Sequence, residues 1–133
     1  MKIKNRNKMT IDKYTREVLR TEGDCYLGST VDEENDLGDG SARILHGLLG
    51  LSGEAGECID IYKKFLFQGH DLDREHLAEE LGDVAWYLVL CADSIGYSLT
   101  DIFEMNVKKL HDRYPNGFDS ERSINRDGDK KDR

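Results

Sequence analysis

Apolar residues recur at intervals of three and four positions along two long stretches of the chain, a spacing that predicts amphipathic α-helices. The first stretch extends from a cap at Asp39 or Ser41 to about Phe67. Its apolar positions are Ile44, Leu48, Leu51, Ala55, Cys58, Tyr62 and Phe65. The second stretch extends from Asp73 to Ile95. Its apolar positions are Leu77, Leu81, Val84, Leu88, Cys91 and Ile95. The short connection between the two helices predicts an antiparallel hairpin.

A shorter helix is predicted on each side of this hairpin. Thr10 can cap a first helix. Ser98, with Asp101 three residues later, can cap a fourth helix, which ends at Pro115. No stretch shows the alternation of a half-buried β-strand. The sequence therefore predicts an all-α fold, an antiparallel four-helix bundle.

Glycine-rich and charged segments mark the limits of this bundle. Residues 22–40 are rich in glycine and acidic residues, which predicts a mobile loop. That loop is either a solvated linker or a lid over a substrate. Residues 116–133 are charged and polar, which predicts a C-terminal tail. We therefore expect one domain, residues 1–115, followed by the tail.

Composition narrows the classes of partner. The chain has 133 residues and a net charge of −8. A protein that binds nucleic acid polymers normally carries a basic face, and none is visible. No apolar run of about 18 residues exists, so no membrane partner is expected. An acidic protein can still bind an anionic nucleotide if metal ions lie between the two.

The cysteines indicate the redox compartment. Cys25, Cys58 and Cys91 are widely spaced and form no CxxC pair. Cys58 and Cys91 lie in apolar helical stretches, where buried thiols are expected. This use of cysteine is typical of a reducing cytoplasm.

Two short segments of the hairpin share one order of residues: an acid, an apolar residue, a glycine and an acid. They are Glu54-Ala55-Gly56-Glu57 and Glu80-Leu81-Gly82-Asp83. Acids three positions apart lie on one face of a helix. Each pair flanks the apolar stripe of its own helix on the same side.

The hairpin is expected to bring these two pairs to one level. If the connection turns near His70 and Asp71, Glu57 and Asp83 have nearly the same height on axes about 8–10 Å apart. Four crowded carboxylates repel one another unless a cation joins them, and oxygen ligands favour Mg²⁺ or Mn²⁺. A single pair is typical of a solvated acidic surface, but two matched pairs favour a metal site formed by all four acids.

Glycines interrupt the helices beside these acids. Gly47, Gly50, Gly53 and Gly56 each cost about 1 kcal/mol of helix stability relative to alanine, and Gly53, Gly56 and Gly82 adjoin the acids. Two explanations remain open: the absent side chains permit close packing of the helices, or they leave room for a ligand.

At these residues the chain resembles the MazG-like nucleotide pyrophosphohydrolases of the all-α NTP pyrophosphatase superfamily. The signature of that family is ExxE followed by ExxD on the next helix. Here Glu54 to Glu57 and Glu80 to Asp83 match it, with 22 residues between them. The match extends to the stretches GLSGEAGE, EELGDVAWYL, NVKKLHDRYPNGF and ERSINRD. It covers about residues 10–127 and is strongest from residue 45 onward.

The resemblance implies hydrolysis of NTPs or dNTPs to a monophosphate and pyrophosphate, an activity that cleans the nucleotide pool. It implies that Glu54, Glu57, Glu80 and Asp83 are both the Mg²⁺ ligands and the catalytic residues, with Mn²⁺ as a possible substitute. One of these carboxylates can serve as base for the attacking water. It also implies self-association, as a dimer or a dimer of dimers. The acidic face of one hairpin looks half-built alone, so we expect an obligate homodimer or homotetramer.

Further candidates concern the substrate. The family pattern N-x-x-K-L-x-x-R-Y places Asn106, Lys109 and Arg113 on one face of the fourth helix. Lys109 and Arg113 are candidates for phosphate contacts, with surface ion pairs as the alternative. Tyr87 and Trp86 follow the ExxD segment and are candidates for contact with base or sugar, with core packing as the alternative.

Several other functions are alternatives to nucleotide pyrophosphohydrolysis. A di-iron bundle needs Glu-x-x-His segments, and the nearest match is Asp73 to His76, at a helix start. A dUTP- or dCTP-specific enzyme and a phosphoribosyl-ATP pyrophosphohydrolase share the same metal chemistry. A non-catalytic helical dimerisation module is the remaining alternative, which the intact acids disfavour.

Overall fold

The computed structural model describes residues 8–23 and 41–125, and these residues form five helices. The helices are α1 (Ile11–Thr21), α2 (Ser41–Phe67), α3 (Arg74–Ser94), α4 (Leu99–Arg113) and α5 (Ser120–Ile124). The predicted all-α class with four substantial helices is confirmed, and the described residues contain no β-strand. Within the described residues, no helix combines the length and apolar character that crossing a membrane requires. Of the predicted loop 22–40, residues 24–40 lie outside the described part.

Capping hydrogen bonds and a glycine turn set the ends of the helices. Thr10 caps α1, with its side-chain oxygen accepting a hydrogen bond from the backbone N–H of Lys13 at 3.2 Å. Asp73 caps α3 in the same way, through the N–H of His76 at 2.9 Å. Gly69 follows α2 with a φ of 71°, a conformation that favours glycine and allows the chain to turn. These caps and the stop were all predicted.

The chain divides into two compact units, residues 1–99 and residues 100–133. In the first unit α2 and α3 form the predicted antiparallel hairpin. A Cβ atom added to Gly47 would lie 2.7 Å from the Sγ of Cys91, and one added to Gly50 would lie 2.1 Å from a ring carbon of Tyr87. Later residues of α2 thus face earlier residues of α3. Gly47 and Gly50 therefore allow the helices to approach closely. A Cβ atom added to Gly53, Gly56 or Gly82 would meet no neighbouring group within 4 Å, so the described residues show no close helix contact at these three glycines.

The register of the hairpin differs from the prediction. Glu54, and not Glu57, lies level with Asp83, so the expected alignment is wrong by about one helical turn. The error has a physical cause. α2 continues to Phe67, about one turn beyond the level at which α3 begins, because residues 70–73 return as non-helical chain.

The apolar stripe of α2 also divides between two faces. Three of its seven residues are half-buried on the side of α3: Ile44, Leu51 and Cys58. The other four are exposed: Leu48, Ala55, Tyr62 and Phe65. The most deeply buried residues are Val18, Val89, Leu90, Ala92 and Leu99. The core of the first unit therefore lies between α1, the second half of α3 and Leu99, while much of α2 is exposed.

Arg43 ties α1 to the hairpin. Its Nε and Nη2 donate to the two carboxylate oxygens of Glu22 at 2.6 and 2.7 Å, and its Nη1 lies 2.6 Å from an oxygen of Asp93. This two-pronged geometry suits a guanidinium and a carboxylate. The side chains of Arg43 and Glu22 are only 24% and 15% exposed. The pair therefore fixes the end of α1 beside the start of α2 and the end of α3.

The second unit contains α4 and α5. After α4, Gly117 turns the chain with a φ of 92°, and its N–H donates to the carbonyl of Tyr114 at 3.1 Å. Asp119 then caps α5, which the sequence did not predict within the charged tail. A guanidinium N–H of Arg122 donates to the carbonyl of Arg113 at 3.4 Å. Residues 116–125 are therefore structured, while the predicted boundary at residue 115 stays a prediction.

The contact at Gly50 gives the first testable prediction. Gly50→Ala should lower the free energy of unfolding by about 1–3 kcal/mol, because the added methyl group overlaps the ring of Tyr87. That ring also makes an edge contact with His46, with the ring centroids 5.7 Å apart, which limits how far it can move. Gly53→Ala is the matched control. No atom lies within 4 Å of its Cβ, so the change should raise helix stability by up to about 1 kcal/mol. Equal urea midpoints for the two variants would contradict the packing described here.

Candidate metal centre

Three carboxylates from α2 and α3 come together on the hairpin. Glu54, Glu80 and Asp83 each offer one oxygen, and these oxygens lie within 4.8 Å of one another. Glu54 projects from α2 at the level where α3 presents Glu80 and Asp83 from one face. Glu54 and Glu80 are half-buried and Asp83 is exposed. The structure thus brings together three of the four acids that the sequence singled out.

Glu57, the fourth acid, lies outside this group. It is exposed and follows Glu54 by three residues on α2. Its charge still acts on the group, because it contributes to the raised pKa of Glu54. It also contributes, after Asp60, to the raised pKa of Lys64. Its assignment as a ligand stays a prediction.

The spacing of the three oxygens suits a divalent ion. Mg²⁺ binds oxygen at about 2.0–2.1 Å, so two ligands on opposite sides of the ion are about 4 Å apart. Oxygens already within 4.8 Å of one another need only a small side-chain movement to reach that spacing. The donor set consists of carboxylates alone, which suits a hard cation.

Crowding changes the electrostatics of the group. The pKa of Glu54 is raised above its ordinary value of 4.5 by partial loss of solvent and then by the charges of Asp83 and Glu80. A hydrogen bond with Glu80 raises it further. Each of these effects favours the protonated form of Glu54 in the absence of a cation. A divalent ion would reverse the preference.

This raised pKa predicts how stability depends on pH. A carboxyl group with a raised folded-state pKa contributes stability that is fully present below its unfolded pKa and is lost as pH rises through the folded pKa. In EDTA, Glu54 should therefore make the chain less stable as pH rises above about 4.5. Thermal midpoints of the wild type and Glu54→Gln, measured at several pH values, isolate this contribution. The wild type should lose stability relative to Glu54→Gln across that window, and added Mg²⁺ should restore the wild type, because the variant binds the ion weakly. Parallel pH profiles would refute the prediction.

Two residues outside the predicted site, His76 and Tyr14, contact the ExxD segment. The Nε2 of His76 lies 2.9 Å from Oε1 of Glu80, one turn later on α3. The hydroxyl of Tyr14 on α1 donates to the carbonyl of Gly82 at 3.2 Å. Burial and then the charge of Asp83 raise the pKa of Tyr14. The spacing of His76 and Glu80 was visible in the sequence, whereas the contact of Tyr14 depends on how α1 packs.

The lysines that follow the acids on α2 have their own partner. Lys63 and Lys64 both form ion pairs with Asp60, one helical turn before. Hydrogen bonds from these two lysines lower the pKa of Asp60 to about 2. The two lysines are therefore surface charges that are paired with Asp60.

Trp86 and Tyr87 are held by packing contacts. The indole N–H of Trp86 donates to the hydroxyl of Thr21 at 2.8 Å. The rings of Trp86 and Tyr87 meet edge to face, with centroids 4.9 Å apart. Tyr87 also fills the space beside Gly50. These contacts agree with the packing alternative, and a contact with base or sugar stays a prediction.

The candidate phosphate ligands lie on α4, in the second unit. Asn106 and Lys109 are exposed, and Arg113 is half-buried at the end of the helix. The neighbouring Lys108 forms an ion pair with Asp112 at 3.2 Å. The predicted roles of Asn106, Lys109 and Arg113 therefore remain predictions.

Comparisons with known proteins identify the family of this chain. A family model for the MazG nucleotide pyrophosphohydrolase domain matches residues 44–118, more than half of the chain. The chain is also similar to the Gene 37 protein of Mycobacterium phage L5, with 33% identity over 102 residues, or 71% of this chain and 90% of that protein. No solved structure matches. Both acidic pairs fall within the matched residues, and the chain belongs to the MazG nucleotide pyrophosphohydrolase family.

Proposed function

We propose that this protein hydrolyses nucleoside triphosphates, preferably dNTPs, to the monophosphate and pyrophosphate in a reaction that requires Mg²⁺. The observation that carries the proposal is the convergence of Glu54, Glu80 and Asp83 from two helices, within a sequence that matches the family. We further propose that the enzyme acts in the cytoplasm to remove unwanted nucleotides from the pool.

The acids are proposed to hold Mg²⁺, with Glu57 completing the set from the next turn of α2. Magnesium bound there would neutralise triphosphate oxygens and polarise the α-phosphorus toward attack. One carboxylate accepts the proton of the attacking water, which joins the phosphorus as pyrophosphate leaves. Lys109 and Arg113 are proposed to contact the phosphates, with Asn106 beside them. Trp86 and Tyr87 are proposed to border the base or sugar.

The test is pyrophosphate release from a panel of common and damaged NTPs and dNTPs, with Mg²⁺, with Mn²⁺ and with EDTA. We expect pyrophosphate and monophosphate in equal amounts, only when a divalent ion is present. Glu57→Ala should abolish turnover while leaving the helical content intact. Full activity of that variant would remove Glu57 from the ligand set. Absence of pyrophosphate release from every nucleotide would overturn the proposed function.

Self-association is proposed from a second feature of α2. A continuous row of exposed residues, spaced three and four apart, follows the helix away from α3, and we call it the outer stripe. Its members are Leu45, Leu48, Ser52, Ala55, Ile59, Tyr62 and Leu66. Leu48 is 51% exposed and Ile59 is 69% exposed. Exposing large apolar side chains to water costs free energy, and a regular row of them indicates an interaction surface. The spacing is that of a helix packed against another helix. We propose that a second copy of the chain covers the outer stripe, giving a homodimer or a dimer of dimers.

A further inference from the structure

His76 occupies a defined place beside the candidate metal centre. It lies in the first turn of α3, where its backbone N–H is bound by the capping carboxylate of Asp73 at 2.9 Å. Its ring Nε2 lies 2.9 Å from Oε1 of Glu80. The cap fixes the backbone of His76, and the four-residue spacing brings the ring over the following turn.

The direction of the Glu80 side chain explains why the two groups meet. Long side chains on a helix point back toward its N-terminus, so the carboxylate of Glu80 extends toward the turn that contains His76. The Glu80 side chain is 16% exposed, while that of His76 is 52% exposed. The histidine therefore lies on the solvent side of the carboxylate. The other two carboxylates of the group, Glu54 and Asp83, offer oxygens within 4.8 Å of an oxygen of Glu80.

We propose that His76 is a positioning residue for the metal centre. Its Nε2–H donates to one oxygen of Glu80 and leaves the second oxygen to bind the ion together with Glu54 and Asp83. The inference rests on the proposed function, because it concerns the same site. It assigns a role to a residue outside the ExxE and ExxD segments.

The need for such a residue follows from the charge of the group. Glu80 stands next to two other carboxylates, and when all three are ionised their repulsion favours rotation of the Glu80 side chain away from them. The hydrogen bond from His76 opposes that rotation before an ion arrives. Groups that orient metal ligands in this way typically change metal affinity by about 10- to 100-fold when they are removed.

The experiment measures Mn²⁺ binding to the full chain by titration calorimetry. Four proteins are compared: the wild type, His76→Ala, His76→Gln and His70→Ala. All four titrations use the same buffer and pH, so the proteins differ only at the substituted side chain. His76→Ala should weaken binding about tenfold, the lower end of the usual range. His76→Gln should stay within about twofold of wild type, because its amide N–H can donate over a similar reach. His70→Ala, an exposed residue in the hairpin connection, should bind as the wild type does.

Turnover gives a second readout that a purely structural role would not produce. In His76→Ala the Mg²⁺ concentration for half-maximal rate should rise about tenfold, while kcat at saturating Mg²⁺ stays within about twofold. A loss of kcat that excess Mg²⁺ does not restore would overturn the positioning role. Wild-type affinity in His76→Ala, or equally weak binding in His76→Ala and His76→Gln, would also overturn it.

A parallel variant separates this inference from the proposed function. Glu54→Gln should strongly weaken Mn²⁺ binding if the three carboxylates hold the ion. If Glu54→Gln loses binding and His76→Ala does not, the metal centre stands and the role of His76 is wrong. If the wild type binds no Mn²⁺, the metal centre itself is wrong, and the inference about His76 falls with it.

Discussion

Asp83→Asn should reduce kcat/KM for triphosphate hydrolysis by about a thousandfold or more, which corresponds to about 4 kcal/mol of lost transition-state stabilisation. Asp83 is the exposed member of the three-carboxylate group and shares the level of Glu54 across the hairpin. An amide in its place removes a negative charge and weakens the hold on a divalent ion, which the reaction needs to offset charge on the triphosphate. Pyrophosphate release at saturating Mg²⁺ measures the loss.

The matched control is Glu79→Gln. Glu79 is exposed on the same helix, directly before Glu80, and stands outside the three-carboxylate group. Glu79→Gln removes one negative charge, as Asp83→Asn does, and should keep wild-type activity within about twofold. The thermal midpoint of Asp83→Asn in EDTA should not fall, because one source of repulsion on Glu54 is gone. If Asp83→Asn retains half of the wild-type rate, the proposed metal site is wrong.

The double variant Leu48→Glu/Ile59→Glu should convert the proposed dimer to a monomer. Both side chains lie on the outer stripe, separated by about three helical turns, so the new charges fall in two places along the proposed interface. Burying a carboxylate without a partner costs several kcal/mol, and two of them should weaken association at least a thousandfold. Light scattering measures the change in mass, and activity should fall with it if the acidic face is complete only in the dimer.

The control places the same charge outside the outer stripe. Leu49 is 65% exposed and lies about 100° around α2 from Leu48. Leu49→Glu should therefore weaken association much less than either outer-stripe substitution. A wild-type protein that is a well-folded, active monomer would refute the dimer proposal outright.

The sequence predicted the helices of this fold better than the register between them. Caps such as Asp73 and stop signals such as Gly69 act through neighbouring residues, so local pattern was sufficient to locate the helix ends. The register of α2 against α3 depends on the path of residues 70–73, and no periodic signal records that path. α5 is short and lies in a charged segment, and only its cap at Asp119 could have indicated it.

The site shows the same limit. The acids could be found because two segments repeat one spacing and match a known family. The register of α2 against α3 decides that Glu54, Glu80 and Asp83 converge while Glu57 lies outside the group. The sequence predicted a register about one helical turn away from the observed one. The bond from Tyr14 to Gly82 joins residues 68 positions apart, and nothing local indicates it. Periodicity also could not divide the stripe of α2 between a face toward α3 and an exposed face, because both faces are apolar.

The bidentate pair of Arg43 and Glu22 has a consequence for how this protein can change over time. The ion pair holds the two ends of the intervening chain together. The position of α1 against the hairpin therefore does not depend on the length of that chain. The entropy cost of closing a segment of chain grows slowly with its length, by about 0.6 kcal/mol for each doubling. A change in the length of the chain between Glu22 and Arg43 should therefore disturb the three carboxylates little, which makes this connection a suitable place for an engineered insertion.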